Sequence, residues 1–532
     1  MARWAGPMIG AAMSPAHPAT LAARLGAAAV ALALALPFLF GVTRSPNSNF
    51  WPLMASAACA WTLAALAWAG CGPRGRLAPA MAAGLLLAAL ASAIIGLVQY
   101  FVGDPGLAPW VRSSSIGQAI GNLRQRNQQA TLLALGAWAL LWWLGRLQAR
   151  AQSGGRDGPL LALAALAPSA LALLAAASAA TVSRTGALQW LAVLALLLLW
   201  RRSIGALALT GGALGLACYG LAAWGLPILL EQHTGEPAER LLGRMTDASE
   251  HPCTSRVALW SNVLRLISLR PWTGWGWGEL DWAHYITPFE GTRFCALLDN
   301  AHNLPLQLAV ELGVPAMALL LGAAAWLTWR ARPWREIEPG RQLAWGVLAL
   351  IGLHSLVEYP LWYGPFQLAM ALALACLGQP WLARRWQHIG PPARTGWRTL
   401  GAAALVLALA LGARLAHDYR WVSALYRSDA ERPAPVRALG AMGVARAVWF
   451  FGAPAEFAWL TTTPLTMQQA PALHDAAQRL LHYSPEPRVI EKLIASAQML
   501  GLRQEAALHT DRFRRAWPRE YAAWQERQTR GR

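Results

Sequence analysis

Charged residues are scarce in this chain of 532 residues. Only 13% of the residues are Asp, Glu, Lys or Arg, and Lys occurs once, as Lys492. A soluble globular protein carries about a quarter charged residues, so the composition argues against that class. The six cysteines are too few for a disulfide scaffold, and an apolar content of 56% excludes a disordered chain.

Motifs that would hold a metal ion or ATP are also missing. The sequence has no HExxH motif, no closely spaced pair of Cys or His, no Asp-rich loop and no Walker A motif. We therefore expect neither a metal nor another cofactor.

Long apolar runs are abundant instead. A transmembrane helix needs about 20 mostly apolar residues. Stretches of this kind predict an all-α polytopic membrane protein with about eleven transmembrane helices, near 22–42, 51–70, 79–101, 128–147, 159–181, 186–200, 205–230, 303–329, 342–358, 363–383 and 399–416. They divide the chain into N-terminal transmembrane helices (1–230), a large loop (231–301), C-terminal transmembrane helices (302–416) and a tail (417–532).

The distribution of Arg explains the formal net charge of +19 and predicts the orientation. Short cytoplasmic loops are rich in Arg and Lys. One set of alternate short connections holds fifteen Arg and the other set holds five, so we expect the rich set to be cytoplasmic. The rich set consists of Arg74, Arg76, Arg146, Arg150, Arg156, Arg201, Arg202, Arg330, Arg332, Arg335, Arg341, Arg384, Arg385, Arg394 and Arg398.

This orientation places the large loop and the tail on the outer side, which is the periplasm if the membrane is a bacterial inner membrane. Cys253 and Cys295 are the two cysteines of the loop, and we expect them to form a disulfide there, with two unpaired thiols as the alternative. Apolar residues recur at helical spacing in the tail, which predicts an all-helical domain. Residues 484–524 resemble a degenerate tetratricopeptide hairpin.

Polar residues at the edges of apolar runs are costly in a membrane and are therefore candidates for function. Three groups combine Arg with amides or hydroxyls at the outer face. They are the segment with Arg124, Gln125 and Arg126, the Ser-Arg-Thr-Gly segment with Arg184, and the Ser-Arg-Val-Ala-Leu-Trp segment with Arg256. Interfacial anchoring and contact with lipid headgroups are the alternatives for these groups.

Two further groups add titratable side chains at the same face. His302 lies at the mouth of the eighth span, followed by Asn303, Gln307 and Glu311, which are spaced by four and share one helix face. His354 and Glu358 are separated by four residues and could satisfy each other, with Tyr359 next in the chain. The first group is a candidate catalytic centre, although a lone His is more often structural.

These segments, in this order, resemble the O-antigen ligase and polymerase superfamily (the Wzy_C group). The quoted motifs are Gln-Arg-Asn-Gln-Gln-Ala, Ser-Arg-Thr-Gly, Ser-Arg-Val-Ala-Leu-Trp, Gly-Trp-Gly-Trp-Gly, and His-Asn-Leu-Pro-Leu-Gln with Glu-Leu-Gly. Ser-Leu-Val-Glu-Tyr-Pro-Leu-Trp-Tyr and the helical tail are more similar to the PglL-type protein O-oligosaccharyltransferases. The resemblance implies a GT-C-like membrane enzyme.

The resemblance also implies roles for individual residues. His302 matches the essential His of the family, Arg184 and Arg256 match the arginines assigned to the pyrophosphate, and Tyr359 matches the Tyr of the protein-glycosylating branch. Gln125 fits the Gln-x-Asn position, where relatives more often have Pro in place of Arg126. His302, Tyr359 and Gln125 are thus the candidate catalytic residues. Secondary candidates are Arg124, Arg126, Asn303, Glu311, His354 and Glu358.

The implied activity is transfer of an oligosaccharide en bloc from undecaprenyl pyrophosphate to Ser or Thr of exported proteins such as pilin, without a metal and with inversion. Two alternatives stay open. One is an O-antigen ligase or polymerase acting on a lipid A-core or O-unit acceptor, and the other is a transporter of lipid-linked glycan. A nucleic-acid partner is not expected, because the membrane topology accounts for the positive charge.

Overall fold

The computed structural model describes residues 21–72, 75–154, 158–241, 243 and 252–530. Arg74 and Arg156 of the predicted cytoplasmic set lie outside these residues. The regular elements of the described part are all helices. Four are short 3-10 helices, at Pro252–Thr254, Pro333–Arg335, Pro360–Trp362 and Asp429–Glu431, and the others are α-helices. They are α1 (Leu21–Leu39), α2 (Phe50–Trp68), α3 (Leu77–Val102), α4 (Arg126–Gln152), α5 (Gly158–Ala180), α6 (Arg184–Leu199), α7 (Arg201–Ile204), α8 (Ala206–Thr234), α9 (Arg256–Leu269), α10 (Leu280–Ile286), α11 (Leu304–Leu312), α12 (Val314–Ala331), α13 (Pro339–Ser355), α14 (Gly364–Gln387), α15 (Pro391–Ala424), α16 (Ala434–Ala447), α17 (Gly452–Thr462), α18 (Ala470–Leu480), α19 (Pro487–Met499), α20 (Arg503–Ala516) and α21 (Pro518–Arg530).

Seven of the described helices are long and apolar enough to cross a membrane, namely α1, α2, α3, α4, α8, α12 and α15. The other predicted stretches also form helices, and α6, with 16 residues, is among the shorter ones. The chain is thus an all-helical polytopic membrane protein, while the count of eleven spans stays a prediction.

The helix ends are gathered at two opposite ends of the bundle. At one end, Asn122 Nδ2 donates to Leu39 O (2.6 Å), and Tyr419 Oη donates to Arg44 O (2.6 Å). At the other end, Trp142 Nε1 donates to Pro339 O at 2.7 Å. Trp200 Nε1 donates to Pro333 O there as well, at 2.9 Å. We call the first the site end and the second the opposite end. The chain passes from one end to the other along successive helices, in agreement with the path expected from the apolar runs.

Helix α4 is the centre of the bundle, because nearly all of its side chains from Gln128 to Trp142 are buried. Small residues let its neighbours come close. A Cβ on Gly136 would meet the Cβ of Ala89, and a Cβ on Gly346 would meet the indole of Trp138. Trp138 Nε1 also donates to Leu343 O (3.1 Å), so α13 is fixed against α4 by packing and by a buried hydrogen bond.

The eighth apolar run is not one helix, as the sequence predicted for residues 303–329. It is broken into α11 and α12 at Gly313, whose φ is 87° and ψ 159°. This backbone region is essentially restricted to glycine. The break is packed against the Gly/Trp loop, since Val314 N donates to Pro271 O (2.7 Å) and Trp275 N donates to Val310 O (2.8 Å). The short helix α11 therefore belongs with the large loop, and only α12 is a candidate span.

The large loop and the tail pack against each other at the site end. Cys253 and Cys295 are joined by a disulfide, with their Cα atoms 5.3 Å apart. Tyr285 from α10 is buried in the apolar core of the tail, and its hydroxyl is 3.0 Å from His509 Nδ1. The tail is all-helical, and α18 to α20 pack in sequence; its relation to tetratricopeptide repeats stays a prediction.

The break at Gly313 gives a first testable prediction. A Cβ at Gly313 would collide with the carbonyl of Trp272 and would force an unfavourable φ, so Gly313→Ala should destabilise the protein by about 1–3 kcal/mol. Thermal unfolding of the purified protein in detergent measures the effect. Gly322→Ala in α12 is the matched control, because a Cβ there meets nothing within 4 Å. Equal unfolding temperatures for the two variants would contradict the strain at Gly313.

Asp281 in α10 gives a prediction about pH. Burial and, to a smaller degree, the charges of Asp299 and Glu279 raise the pKa of Asp281 from 3.8 to about 7. Because the folded pKa exceeds the unfolded one, the stability contribution is complete below about pH 4 and declines as the pH rises toward 7. Asp281→Asn should therefore flatten the fall of the unfolding temperature between pH 5 and pH 8.

The control for this experiment is Glu290→Gln, which neutralises an exposed carboxylate of the same loop. It should leave the pH dependence of the unfolding temperature as in the unmodified protein. If Asp281→Asn and Glu290→Gln gave the same pH profile, Asp281 would not be the titrating group.

Candidate functional site

The carboxylate of Glu358 is the centre of a polar cluster at the site end. Its side chain is only 2% exposed. One oxygen accepts a hydrogen bond from the Arg256 guanidinium and another from Asn127 Nδ2 (3.0 Å). The second oxygen lies 2.7 Å from His302 Nδ1. Glu358 thus joins α4, α9 and the chain entering α11 at one point.

The cluster continues from Asn127 to the start of α6. Ser183 Oγ donates to Asn127 Oδ1 (2.6 Å), while Asn127 Nδ2 donates to Glu358. We call Glu358, Arg256, His302, Asn127 and Ser183 the Glu358 cluster. Arg184 follows Ser183 directly and is the first residue of α6, with its side chain exposed. Arg184 therefore lies one residue along the chain from the cluster that contains Arg256 and His302.

Four helices begin at this site. Gln125, Ser183, Ser255 and Asn303 are the N-cap residues of α4, α6, α9 and α11, and each side chain accepts a backbone N–H of the first turn. A helix N-terminus carries about half a positive charge and binds anions through its remaining N–H groups. Four N-termini together with Arg184 and Arg256 make this end of the molecule suitable for a multiply charged anion.

Three of these helix starts share an unusual backbone feature. The residues directly before the caps of α4, α6 and α11 are Arg124, Val182 and His302, with φ of 63°, 49° and 50°. Positive φ is unfavourable for residues with a Cβ, above all for β-branched Val, and such strain concentrates at functional sites. Because the backbone reverses direction at Arg124, Val182 and His302, the N-cap follows directly and each helix begins right after its polar segment.

A second polar layer lies below the Glu358 cluster and contains His354. The side chain of His354 has a partner there other than Glu358, so the predicted pairing of these two residues is wrong. His354 Nδ1 lies 2.8 Å from Thr131 Oγ1, which also accepts from Gln189 Nε2 (3.0 Å). The hydrogen bond between Glu358 and His354 joins backbone atoms, because Glu358 N donates to His354 O at 2.9 Å. The helix α13 ends at Ser355, so Glu358 is no longer on the helix face of His354 and turns toward Arg256.

The charge of Glu358 is held by its neighbours. Burial opposes ionisation, but the hydrogen bond to His302 and the positive charge of Arg256 outweigh it, so the pKa of Glu358 lies below its usual value. Tyr359 packs edge-to-face on His302, with ring centroids 4.8 Å apart, and burial raises its pKa. Near neutral pH the site therefore holds an ionised carboxylate and a neutral phenol.

Three further candidates, Arg124, Gln125 and Arg126, bind partners outside the Glu358 cluster. Arg126 pairs with Glu239 at 2.9 Å and Arg124 with Asn49, so both guanidiniums are bound to neighbouring loops. Gln125 uses its amide oxygen to cap α4, accepting from Gln128 N (2.7 Å).

The polar stripe on α11 holds the surrounding backbone in place. Asn303 Nδ2 donates to Leu356 O (2.8 Å), and Gln307 Oε1 accepts from Ala301 N (2.6 Å). Glu311 Oε1 accepts from Gly278 N (2.9 Å) in the Gly/Trp loop. These contacts fix the chain on both sides of His302, and the predicted stripe leading inward is instead bonded to loops.

Asn127 and Ser183 are members of the cluster that the sequence did not single out as site residues. Both lie within the polar segments used for the prediction, one residue from Arg126 and Arg184. The N-cap pattern before α6 was the available signal for Ser183. Among the described residues, no group of three or more His, Cys, Asp or Glu could hold a metal ion.

Comparison with protein families gives three matches. Residues 119–144 match the family described as "Protein glycosylation ligase", and residues 169–321 match "O-Antigen ligase". Residues 342–530 match "Virulence factor membrane-bound polymerase, C-terminal". The five principal candidates, Gln125, Arg184, Arg256, His302 and Tyr359, all lie within the matched segments.

A curated relative is similar over a shorter part. The "General O-oligosaccharyltransferase" of Acinetobacter baylyi is 27% identical over 126 residues, which are 23% of this chain and 21% of the relative. The match thus spans about a fifth of that relative's length. No solved structure matches the chain. Taken together, these matches support the resemblance of the chain to the O-antigen ligase family and to its PglL-type branch.

Proposed function

We propose that this protein transfers an oligosaccharide en bloc from undecaprenyl pyrophosphate to Ser or Thr hydroxyls of exported proteins such as pilin. The reaction takes place at the periplasmic face of a bacterial inner membrane, needs no metal and inverts the anomeric centre. The observation that carries this proposal is the Glu358 cluster, which joins Arg256 and His302 at the N-termini of four helices.

The donor's pyrophosphate matches the cationic side of the site. As the bond between the anomeric carbon and the phosphate oxygen breaks, its electron pair stays on that oxygen. Arg256 and Arg184, with the helix N-termini, stabilise this charge, and guanidinium groups suit phosphate oxygens because they bind in a bidentate manner. Arg256 would then exchange part of its contact with Glu358 for the phosphate.

The acceptor side depends on the orientation of His302. Its Nδ1 lies 2.7 Å from the ionised Glu358, which accepts a hydrogen bond, so the neutral ring carries its proton on Nδ1. Nε2 is then the basic nitrogen and takes the proton of the acceptor hydroxyl while the hydroxyl oxygen attacks the anomeric carbon. Tyr359 packs against the ring and limits its rotation, so Glu358 and Tyr359 act as positioning residues.

A second candidate function is O-antigen ligation or polymerisation, with a lipid A-core or O-unit acceptor. The matches of residues 169–321 to "O-Antigen ligase" and of residues 342–530 to a membrane-bound polymerase favour it. The donor chemistry is the same, and the acceptor distinguishes the two functions.

Transfer by purified protein is the direct test. Undecaprenyl pyrophosphate glycan and a Ser-containing pilin peptide are incubated with the protein in detergent, and the glycopeptide is detected by mass spectrometry. Arg256→Ala or His302→Ala should lower the rate at least about 100-fold, because each removes transition-state stabilisation or proton transfer. Arg265→Ala, an exposed Arg on the same helix as Arg256, is the matched control and should keep its rate.

Each outcome of this assay decides between functions. Glycopeptide formation supports the protein acceptor, whereas transfer only to lipid A-core or to O-units supports the second candidate. Absence of transfer to any acceptor would leave transport of the lipid-linked glycan as the better explanation. Unchanged transfer by His302→Ala would refute the proposed base.

Glu358→Gln tests the positioning role separately. Gln keeps the size of the side chain and removes the charge that holds the His302 tautomer, so we expect kcat to fall about 10- to 100-fold with little change in KM. Steady-state kinetics with varied donor and acceptor concentrations measures kcat and KM.

The control is Glu336→Gln, which breaks the ion pair with Arg341 (2.7 Å) at the opposite end of the bundle. It should leave both kcat and KM unchanged. A loss of kcat in Glu358→Gln together with a lower unfolding temperature would mean that Glu358 only supports the fold of the site.

A further inference from the structure

The helix α12 is apolar and accessible from every side. All of its residues, Val314–Ala331, are exposed or half-buried, and they include exposed leucines and tryptophans. In a membrane protein, such a surface faces the hydrocarbon of the lipid. The 18 residues correspond to about 27 Å of helix, which is close to the thickness of the hydrocarbon core. The two ends of α12 therefore lie near the two interfaces of the membrane.

At the opposite end of the bundle, α12 carries its own interfacial anchors. Trp329 is 69% exposed, and Trp334, just beyond the helix, is 39% exposed. Indole rings favour the membrane–water interface, because they are apolar and yet donate a hydrogen bond. At the site end, the first turn of α12 is Val-Pro-Ala-Met and has no aromatic residue. An aromatic anchor at the site end therefore has to come from another part of the chain.

The Gly/Trp loop (270–279) lies at this end of α12. Its backbone is bound to the first residue of the helix, because Val314 N donates to Pro271 O at 2.7 Å. A Cβ on Gly313 would also collide with the carbonyl of Trp272, so the two backbones are in direct contact. The loop is therefore held at the level where α12 leaves the hydrocarbon.

The three tryptophans of the loop differ in their environment. Trp275 is half-buried, and its Nε1 donates to Leu266 O at 2.9 Å. The guanidinium of Arg270 stacks on the ring of Trp275 at 4.2 Å. Trp272 and Trp277, in contrast, are 78% and 67% exposed. One indole thus fixes the loop to α9, while the other two leave large apolar rings accessible.

We propose that the Gly/Trp loop anchors the protein in the glycerophospholipid leaflet at the site end, with the indoles of Trp272 and Trp277 inserted at the level of the headgroups. Continuity identifies lipid as the partner, since the loop is bonded to the first turn of a helix whose surface faces lipid. Arg270 is exposed beside these rings, and its guanidinium suits lipid phosphates. The anchor does not depend on the transferase activity. It fixes the depth of α9, which begins at Arg256.

Spin labelling in nanodiscs of phosphatidylethanolamine and phosphatidylglycerol measures the depth of the loop. The label is attached to Thr273→Cys, an exposed position that leaves both tryptophans in place. The four free cysteines are replaced by Ala, and the disulfide is kept. Molecular oxygen concentrates in the bilayer and a nickel chelate in water, so the ratio of the two accessibilities rises with depth.

Two labelled positions serve as references for this ratio. Leu320→Cys inside α12 reports lipid, and Leu502→Cys at an exposed turn of the tail reports water. The ratio at Thr273→Cys should be at least about twofold above that at Leu502→Cys and below that at Leu320→Cys, because indoles anchor at the interface and not in the hydrocarbon. A ratio equal to that at Leu502→Cys would overturn the proposal.

The role of the two indoles is tested in the same labelled chain. Trp272→Ser/Trp277→Ser should lower the ratio at Thr273→Cys at least about twofold, because the loop then loses its affinity for the interface. Trp110→Ser/Trp449→Ser is the matched control, since it removes two exposed indoles at the site end outside the loop, and it should leave the ratio unchanged. An equal ratio in the two double variants would refute the anchoring by Trp272 and Trp277.

Stacking of the two indoles on sugar rings is the alternative that the same experiment separates. A label at Thr273→Cys that lies in water, and becomes protected from the nickel chelate only when undecaprenyl pyrophosphate glycan is added, would assign the rings to the glycan and overturn the lipid anchor. The first measurement keeps both tryptophans and needs no transfer reaction. It therefore decides the question even if the double variant fails to fold or the protein proves not to be a transferase.

Discussion

A buried carboxylate must be compensated, and in this protein the compensation of Glu358 organises the site. An unpaired charge in such an environment costs several kcal/mol, so Glu358 is tolerated only where hydrogen bonds and positive charge surround it. Its partners come from α4, α9 and the entry to α11. The same contacts that stabilise the charge therefore bring Arg256 and His302 together, with Ser183 attached through Asn127.

The positive character of the site arises from backbone as much as from side chains. The reversals at Arg124, Val182 and His302 each lead directly into a capped helix, so three polar segments end at helix N-termini. Such dipoles are fixed by the fold and do not need to reorient when a charged group arrives. The large loop, held by the Cys253–Cys295 disulfide and by packing against the tail, supplies the fourth N-terminus and Arg256.

Much of the fold could be predicted from the sequence, because the length and hydropathy of an apolar run are local properties. The helical segments, the all-helical tail and the segments that carry the site residues were predicted in this way. The break of the eighth run was missed, although Gly313 is visible in the sequence. Its cause is the approach of the Gly/Trp loop, where Val314 N donates to Pro271 O, and hydropathy does not report such a contact. The pairing of His354 with Glu358 was wrong because spacing by four implies contact only while the helix continues, and α13 ends at Ser355.

The sequence by itself determined which segments are apolar helices, where the arginines lie along the chain, and that polar residues cluster at the helix starts. Tertiary structure alone decided which of those residues meet. Glu358 binds Arg256 across 102 positions and Asn127 across 231. Its carboxylate also contacts the side chain of His302 and not that of His354, which was the partner predicted from the spacing by four. Helix periodicity and capping act over a few residues, whereas these partners are set by the packing of helices from distant parts of the chain, which no local pattern encodes.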